Sequence, residues 1–232
     1  MSAIPLQFAM RPEEEFEPMT YQVVALGTDG LILGSDRKVF SVPPSAYSAN
    51  SYRQFDTQFK FVRSENDAII CACSGNQHSR RVANEIVKEA DPKQSAANWE
   101  AYLWSKCRQQ IIGSGEIVIV RSSYLDAYWI TIGPDGQVSQ ISDKQCVGAN
   151  ASACFIATHF YRRVGVDELK RFALLILDYA ARELPNWIGN GYDLVILKKD
   201  QQPQWMQLSS DDHFLCSIRN SFNLAINQSL FP

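Results

Sequence analysis

The sequence has 232 residues, of which 46% are hydrophobic and 20% are charged, so the chain is long enough to bury a sizeable core. One domain is the simplest arrangement for this length. The formal net charge of -3 provides no basic surface of the kind that binds nucleic acid or an anionic membrane. The composition therefore favours a globular protein and argues against a nucleic-acid or membrane partner.

The cysteines indicate a reducing compartment. Six are present, at Cys71, Cys73, Cys107, Cys146, Cys154 and Cys216. They form no Cys-x-x-Cys pair, and most lie in apolar runs, where cysteine behaves as a small hydrophobic residue. The first residues lack the pattern of a signal peptide, and nowhere do eighteen apolar residues run together. We therefore expect a cytoplasmic protein with reduced cysteines.

The first segment of the chain, residues 1–19, differs in composition from the remainder. Residues 11–18 contain two prolines and four glutamates, which favour an extended, solvated segment. We expect residues 1–19 to be a flexible tail or a removable leader, and residues 20–232 to form the folded domain.

A hairpin is predicted directly after this segment. Residues 21–26 are mostly apolar, Asp29-Gly30 is a strong turn signal, and residues 31–33 resume the apolar run. The second strand leaves the hairpin through the polar residues Ser35, Asp36 and Arg37.

Apolar periodicity predicts the remaining elements, and residues 40–54 read as a loop by composition. The predicted strands are 59–63, 68–73, 116–123, 127–132, 137–141, 192–198 and 204–208. The predicted helices are 77–90, 95–112, 152–163, 167–183 and 211–230. Hairpins alternate with pairs of helices in this order. That alternation predicts an α+β fold with two antiparallel sheets between two helical layers, an αββα sandwich.

The residues of the first hairpin resemble the start of proteasome β-type subunits and their bacterial relatives. In those proteins a threonine opens the first strand and an aspartate follows sixteen residues later, the separation found here between Thr20 and Asp36. Met19-Thr20-Tyr21 is also how the bacterial relative Anbu begins. The chain is thus similar to the proteasome-like N-terminal nucleophile hydrolases, which have the four-layer αββα fold.

The resemblance extends to two later positions. A lysine on the strand after the loop points at the nucleophile in this family, and a small-Gly-Gly turn follows the next strand. Lys60 matches the lysine, and Ser74-Gly75-Asn76 matches the turn except at Asn76. The resemblance implies catalytic residues Thr20, Asp36, Lys60 and Gly75, with no cofactor and no metal.

The family chemistry needs a free amine at the threonine. The hydroxyl of an N-terminal threonine attacks a peptide carbonyl, and its own α-amine, with a pKa near ~8, accepts the proton. A nearby lysine ammonium keeps this amine neutral, and a carboxylate keeps the lysine charged and oriented. By resemblance Lys60 and Asp36 take these roles, and the N–H of Gly75 stabilises the oxyanion.

Three departures from the family weaken this assignment. Met19 precedes Thr20 where self-processing subunits have glycine. The Gly-Ser-Gly turn of active members reads Gly148-Ala149-Asn150, and residues 184–191 offer neither the Asp nor the Ser found before the later glycine pair. Thr20 becomes exposed if residues 1–19 are removed, or if translation begins at Met19 and that methionine is removed. Otherwise the chain keeps its leader and Thr20 is blocked.

Three functions therefore remain open. The first is a threonine-type peptidase that acts on peptides or unfolded segments inside a homo-oligomeric ring, with an unfoldase as a further partner. The second is a catalytically silent scaffold or binding protein that retains its leader. The third is a small-molecule amidase, in which the long loop at 40–54 would shape a closed pocket.

Overall fold

The computed structural model describes residues 20–41, 53–55, 59–75, 77–108, 115–148, 151–185, 188–189 and 191–230. The strands in this part of the chain are β1 (Gln22–Leu26), β2 (Gly30–Asp36), β3 (Val39–Ser41), β4 (Arg53–Phe55), β5 (Phe61–Arg63), β6 (Ile69–Gly75), β7 (Gly115–Arg121), β8 (Asp126–Ile132), β9 (Val138–Ile141), β10 (Lys144–Val147), β11 (Tyr192–Lys198) and β12 (Gln204–Leu208). The helices are α1 (Gln77–Glu89), α2 (Ala96–Arg108), α3 (Ala151–Phe160), α4 (Val166–Glu183) and α5 (His213–Leu230).

The strands form two five-stranded antiparallel sheets and one small ribbon. The first sheet has the order β10-β1-β2-β11-β12, and the second has the order β5-β6-β7-β8-β9. Strands β3 and β4 pair with each other. The predicted Asp29-Gly30 hairpin is present as β1 and β2, in which Leu26 pairs with Leu31.

Alternation along the strands builds three hydrophobic layers, because successive side chains of a strand point to opposite faces. On β1, Val23 packs against α3, α4 and α5, whereas Val24 packs between the two sheets. On β6, Cys71 packs against α1 and α2, whereas Ala72 faces the other sheet. The predicted αββα order of layers is confirmed.

Some predicted boundaries were wrong. The predicted loop 40–54 contains the ends of the β3–β4 ribbon, and residues 42–52 between these strands lie outside the described part. Helix α3 ends at Phe160 rather than at residue 163. The sequence pattern missed β10 altogether, because this strand is short, polar and confined to the edge of the sheet. Among the described helices, none is long and apolar enough to cross a membrane.

Candidate functional site

Thr20 lies two residues before the start of β1, at the end of the first sheet, and is only 5% exposed. Its backbone carbonyl accepts a 3.5 Å hydrogen bond from the hydroxyl of Ser74 on β6. The carbonyl also packs against Gly148, where a Cβ atom would lie 2.1 Å from the Thr20 oxygen. Thr20 is therefore held between β6 of one sheet and the end of β10 in the other.

The Asp36 carboxylate is the centre of the hydrogen bonding around this position. Asp36 is fully buried at the end of β2. Its Oδ1 accepts hydrogen bonds of 2.9 Å from the Tyr21 N–H and 2.9 Å from Lys60 Nζ. Its Oδ2 accepts the N–H groups of Lys38 at 3.1 Å and Gly189 at 3.4 Å. One carboxylate oxygen thus separates the Lys60 ammonium from the peptide bond between residues 20 and 21.

Burial and ion pairing shift the pKa values of Asp36 and Lys60 in opposite directions. Burial raises the pKa of Asp36, and the Lys60 ammonium and the backbone N–H donors oppose this rise. Burial lowers the pKa of Lys60, which is 6% exposed, and the Asp36 carboxylate opposes that fall. The opposing shifts leave an ammonium whose proton is held less firmly than that of a solvated lysine.

Gly75 is the last residue of β6 and directly follows Ser74. It pairs with Gly115 of β7 in the register of the second sheet. Because Ser74 reaches the Thr20 carbonyl, the Gly75 backbone lies at the same strand end as Thr20. The structure therefore brings together the ends of the strands that carry Asp36, Thr20 and Gly75, with Lys60 just before β5.

Several predicted features of the site lie outside the described residues. These are Ala149 and Asn150 in the turn after β10, Asn76 after Gly75, and residues 186–187 and 190 before β11. Gly189, which is described, has a φ of 132° and donates its N–H to Asp36.

Sequence reasoning missed four groups at the site: the Ser74 hydroxyl, the Gly148 backbone, the Lys38 N–H and the Glu116 carboxylate. Glu116 pairs with Ser74 across β6 and β7. Burial raises the pKa of Glu116, and the nearby Trp129 side chain and Gly148 N–H oppose the rise. The only sequence signal for these groups was their nearness to predicted site residues, as with Ser74 beside Gly75 and Lys38 two residues after Asp36. The contacts of Glu116 join segments far apart in the chain.

Solved structures of Anbu proteins have the same fold. Anbu (ancestral beta-subunit) from Yersinia bercovieri matches with a TM-score of 0.68 at 14% identity, and the match covers 90% of this chain and 96% of that chain. Anbu from Hyphomicrobium sp. strain MC1 matches with a TM-score of 0.66 at 15% identity, over 90% of this chain and 96% of that chain. The helical assembly of the Anbu complex from Pseudomonas aeruginosa gives a TM-score of 0.66 at 15% identity, over 90% and 95% of the two chains.

No protein-family model matches the sequence, and no curated protein matches it. At these identities the structural matches establish the fold, which is the proteasome-like N-terminal nucleophile hydrolase fold. The proteasome-like fold expected from the sequence is therefore confirmed, and the structural match covers about nine-tenths of the chain.

Proposed function

We propose that this protein is a proteasome-like threonine-type peptidase whose nucleophile, Thr20, is exposed by removal of residues 1–19. The observation that carries the proposal is the buried ion pair between Lys60 and Asp36, in which Asp36 also accepts the N–H of the residue after Thr20. A buried charged pair is a costly arrangement for stability alone, and perturbed groups of this kind cluster at functional sites.

In the proposed reaction the Thr20 hydroxyl attacks the carbonyl carbon of a peptide bond. The proton of the hydroxyl passes to the free α-amine of Thr20, which Lys60 keeps neutral by like-charge repulsion. The N–H of Gly75 stabilises the oxyanion, a contribution of roughly 3 kcal/mol to the barrier. The peptide C–N bond breaks, the leaving amine takes the proton, and water then hydrolyses the ester on Thr20.

The first test is the mass of the protein purified from its own host, followed by labelling with a peptide epoxyketone. A mass that begins at Thr20 and covalent labelling of that residue are the expected results. Thr20→Ala should abolish the labelling. Thr28→Ala, which changes an exposed threonine in the β1–β2 turn, should leave it intact.

A second function is favoured by one observation. The turn after β10 reads Gly148-Ala149-Asn150 and lacks the serine of active relatives. A silent scaffold or binding protein on the same fold would keep residues 1–19 in its native mass. It would show no labelling of Thr20. That pair of results would reject the peptidase proposal.

We also propose that the protein assembles with copies of itself in the cytoplasm and takes unfolded segments, supplied by an unfoldase, as substrate. Support comes from the Pseudomonas aeruginosa relative, which forms a helical assembly, and from two exposed aromatic side chains on α3, Phe155 at 61% and Phe160 at 56%. Sedimentation velocity of the full chain should give a species much heavier than one subunit. A monomer at all concentrations would contradict this part of the proposal.

A further inference from the structure

One carboxylate close to Thr20 has no role in the proposed reaction. Glu116 is the second residue of β7 and pairs with Ser74 of β6, whose hydroxyl donates to the Thr20 carbonyl. Directly opposite residues of antiparallel strands have Cα atoms about 5 Å apart and side chains on the same face. Glu116 is therefore a direct neighbour of the serine that contacts the candidate nucleophile.

Alternation along the strands shows which way the Glu116 side chain faces. Ala72 on β6 and Val118 on β7 pack in the middle hydrophobic layer, between the two sheets. Ser74 and Glu116 are each two residues away from these positions, so their side chains lie on the same inner face of the second sheet. Glu116 thus faces the space between the sheets at the end where Thr20 lies, and not the helices α1 and α2.

The first sheet contributes a polar side chain to the same space. Gln22 on β1 is two residues after Thr20 and two residues before Val24, which packs in the middle layer. Gln22 is fully buried, and neither its amide nitrogen nor its amide oxygen has a hydrogen-bond partner among the described residues. Because a buried amide without a partner is unfavourable, Gln22 is suited to hold a polar group that enters this space.

The charge of Glu116 is not balanced by the described part of the chain. None of the ion pairs between described residues includes it, and Lys60 pairs with Asp36 instead. Burial raises the pKa of Glu116, as expected for a carboxylate without a cation beside it. Unlike Asp36, Glu116 is partly exposed, so its carboxylate is accessible to a group that comes from solvent.

We propose that Glu116 selects substrates that carry a cationic side chain, lysine or arginine, beside the bond that Thr20 attacks. An unpaired carboxylate in a partly dehydrated cleft attracts a cation and repels an acidic residue. Gln22 and Ser74 offer an amide oxygen and a hydroxyl oxygen to the N–H groups of that cation. The inference rests on the proposed function for its effect on reaction rate, whereas the binding preference can be measured without any reaction.

The first test is binding by the full-length Thr20→Ala protein, which cannot form the ester. Two fluorescent peptides that differ only in one central residue, lysine or glutamate, are compared by fluorescence anisotropy. We expect the lysine peptide to bind about tenfold more tightly, because opposite charges attract and like charges repel at Glu116. The difference should shrink as the ionic strength rises.

Variants in the Thr20→Ala background assign the preference to one side chain. Glu116→Gln keeps the size of the side chain and removes its charge, so it should bind the two peptides equally well. Glu116→Lys should prefer the glutamate peptide. Glu100→Gln is the matched control, because it removes the same charge from an exposed position on α2. This variant should keep the preference for the lysine peptide.

The second test is the rate at which two peptide epoxyketones, one with lysine and one with glutamate, label Thr20. The lysine probe should react about tenfold faster, and Glu116→Gln should remove this difference mainly by slowing the lysine probe. If neither probe labels Thr20 but the lysine peptide still binds preferentially, the peptidase function is rejected and the binding preference stands. If both probes label Thr20 at the same rate, the function stands and the selection by Glu116 is rejected.

Two binding results would also overturn the proposal. The first is equal binding of the two peptides, or binding of neither, by the Thr20→Ala protein, a comparison that leaves Glu116 unchanged. The second is a lysine preference that persists in Glu116→Gln, which would limit Glu116 to a structural role near Gly148. Circular dichroism of each variant before the binding measurements excludes a folding defect as the cause.

Discussion

A single carboxylate, that of Asp36, satisfies four hydrogen-bond donors at the candidate site: the N–H groups of Tyr21, Lys38 and Gly189 and the Lys60 ammonium. Removing a carboxylate and an ammonium from water costs several kcal/mol each, and their mutual attraction offsets this only with good geometry and added hydrogen bonds. Asp36 has both. The ion pair is therefore tolerable in the folded state as long as neither partner is removed.

Lys60→Met tests this dependence. The substitution keeps the length of the side chain but leaves the buried carboxylate without its counter-charge, so we expect the free energy of unfolding to fall by about 3–5 kcal/mol. Urea denaturation followed by circular dichroism measures the change. Lys88→Met on the exposed face of α1 is the control and should shift it by less than about 0.5 kcal/mol. Equal effects of the two substitutions would show that the ion pair has no special role in stability.

Cys73 provides a prediction about pH. Burial raises the pKa of this thiol from 9.0 to about 12. Because the folded-state pKa lies above the unfolded-state value, the unfolded chain loses this proton first as the pH rises. The stabilisation is fully present below pH 9 and is lost as the pH rises towards 12, by roughly 1.4 kcal/mol per pH unit for this one group.

Urea denaturation at several pH values between about 8 and 11 checks this sign. Cys73→Ala should lose stability less steeply than the wild type above pH 9, because one titrating group has been removed. Cys216→Ala, which changes a partly exposed thiol, should retain the wild-type slope. A Cys73→Ala slope as steep as that of the wild type would contradict the prediction.

At the scale of single residues, resemblance to the proteasome-like family predicted Thr20, Asp36, Lys60 and Gly75 as site residues. It could not predict the Ser74 hydroxyl at the Thr20 carbonyl or the Cys154 thiol at the Tyr21 hydroxyl. These contacts depend on how the second sheet and α3 pack against β1. No spacing along the chain encodes such packing.

Among the elements, β10 shows most clearly what local pattern leaves out. Its four residues, Lys144 to Val147, have little hydrophobic alternation, yet they pair with β1 from more than a hundred residues away. The pairing places Gly148, with a φ of 115°, against the backbone of Thr20. An edge strand therefore fixes the position of the candidate nucleophile.

Gly148→Ala tests the importance of this close approach. The added Cβ would lie 2.1 Å from the Thr20 carbonyl oxygen, so either β10 or Thr20 must move. We expect a loss of stability of about 1–3 kcal/mol and a marked fall in the labelling of Thr20. The measurements are urea denaturation and the epoxyketone reaction.

Gly165→Ala before α4 is the matched control for this substitution. The nearest atom to its added Cβ, a carboxylate oxygen of Asp29, would be 3.7 Å away, and its φ of -66° suits any residue. This variant should lower stability by no more than about 1 kcal/mol, the usual preference for glycine over alanine at a helix N-cap, and should leave the labelling of Thr20 unchanged. If Gly148→Ala behaved in the same way, β10 would have no part in positioning Thr20.

Over the molecule as a whole, the middle hydrophobic layer joins the two sheets. Leu33 of β2, Ala72 of β6 and Val195 of β11 meet in it. The outer layers each connect one sheet to its helices. Because every layer shares a sheet with the next, we expect the described body to unfold as one cooperative unit.

Leu33→Ala in the middle layer and Leu103→Ala in the layer under α2 test this cooperativity. Each should lower the free energy of unfolding by about 2–5 kcal/mol while keeping a single transition. Tryptophan fluorescence and far-ultraviolet circular dichroism should give the same midpoint for each variant. A Leu103→Ala protein with two separate transitions would show that the second sheet and its helices unfold independently.

The layer order was predictable from the sequence because hairpins and helix pairs alternate along the chain, and antiparallel neighbours need only short connections. The pairing of β11 with β2 was not predictable from the sequence. It places Tyr192 beside Asp36, two residues that are separated by most of the chain. Such a pairing depends on how the complete sheet packs, and no local sequence pattern indicates it.

The four donors to the Asp36 carboxylate come from residues 21, 38, 60 and 189, so the last of them arrives only after most of the polypeptide has been synthesised and packed. A partly folded chain has the hydroxyl of Thr20 but lacks the complete set of hydrogen bonds around Asp36. If the proposed peptidase function holds, the activity would therefore appear only after the residues near the end of the chain have folded into place.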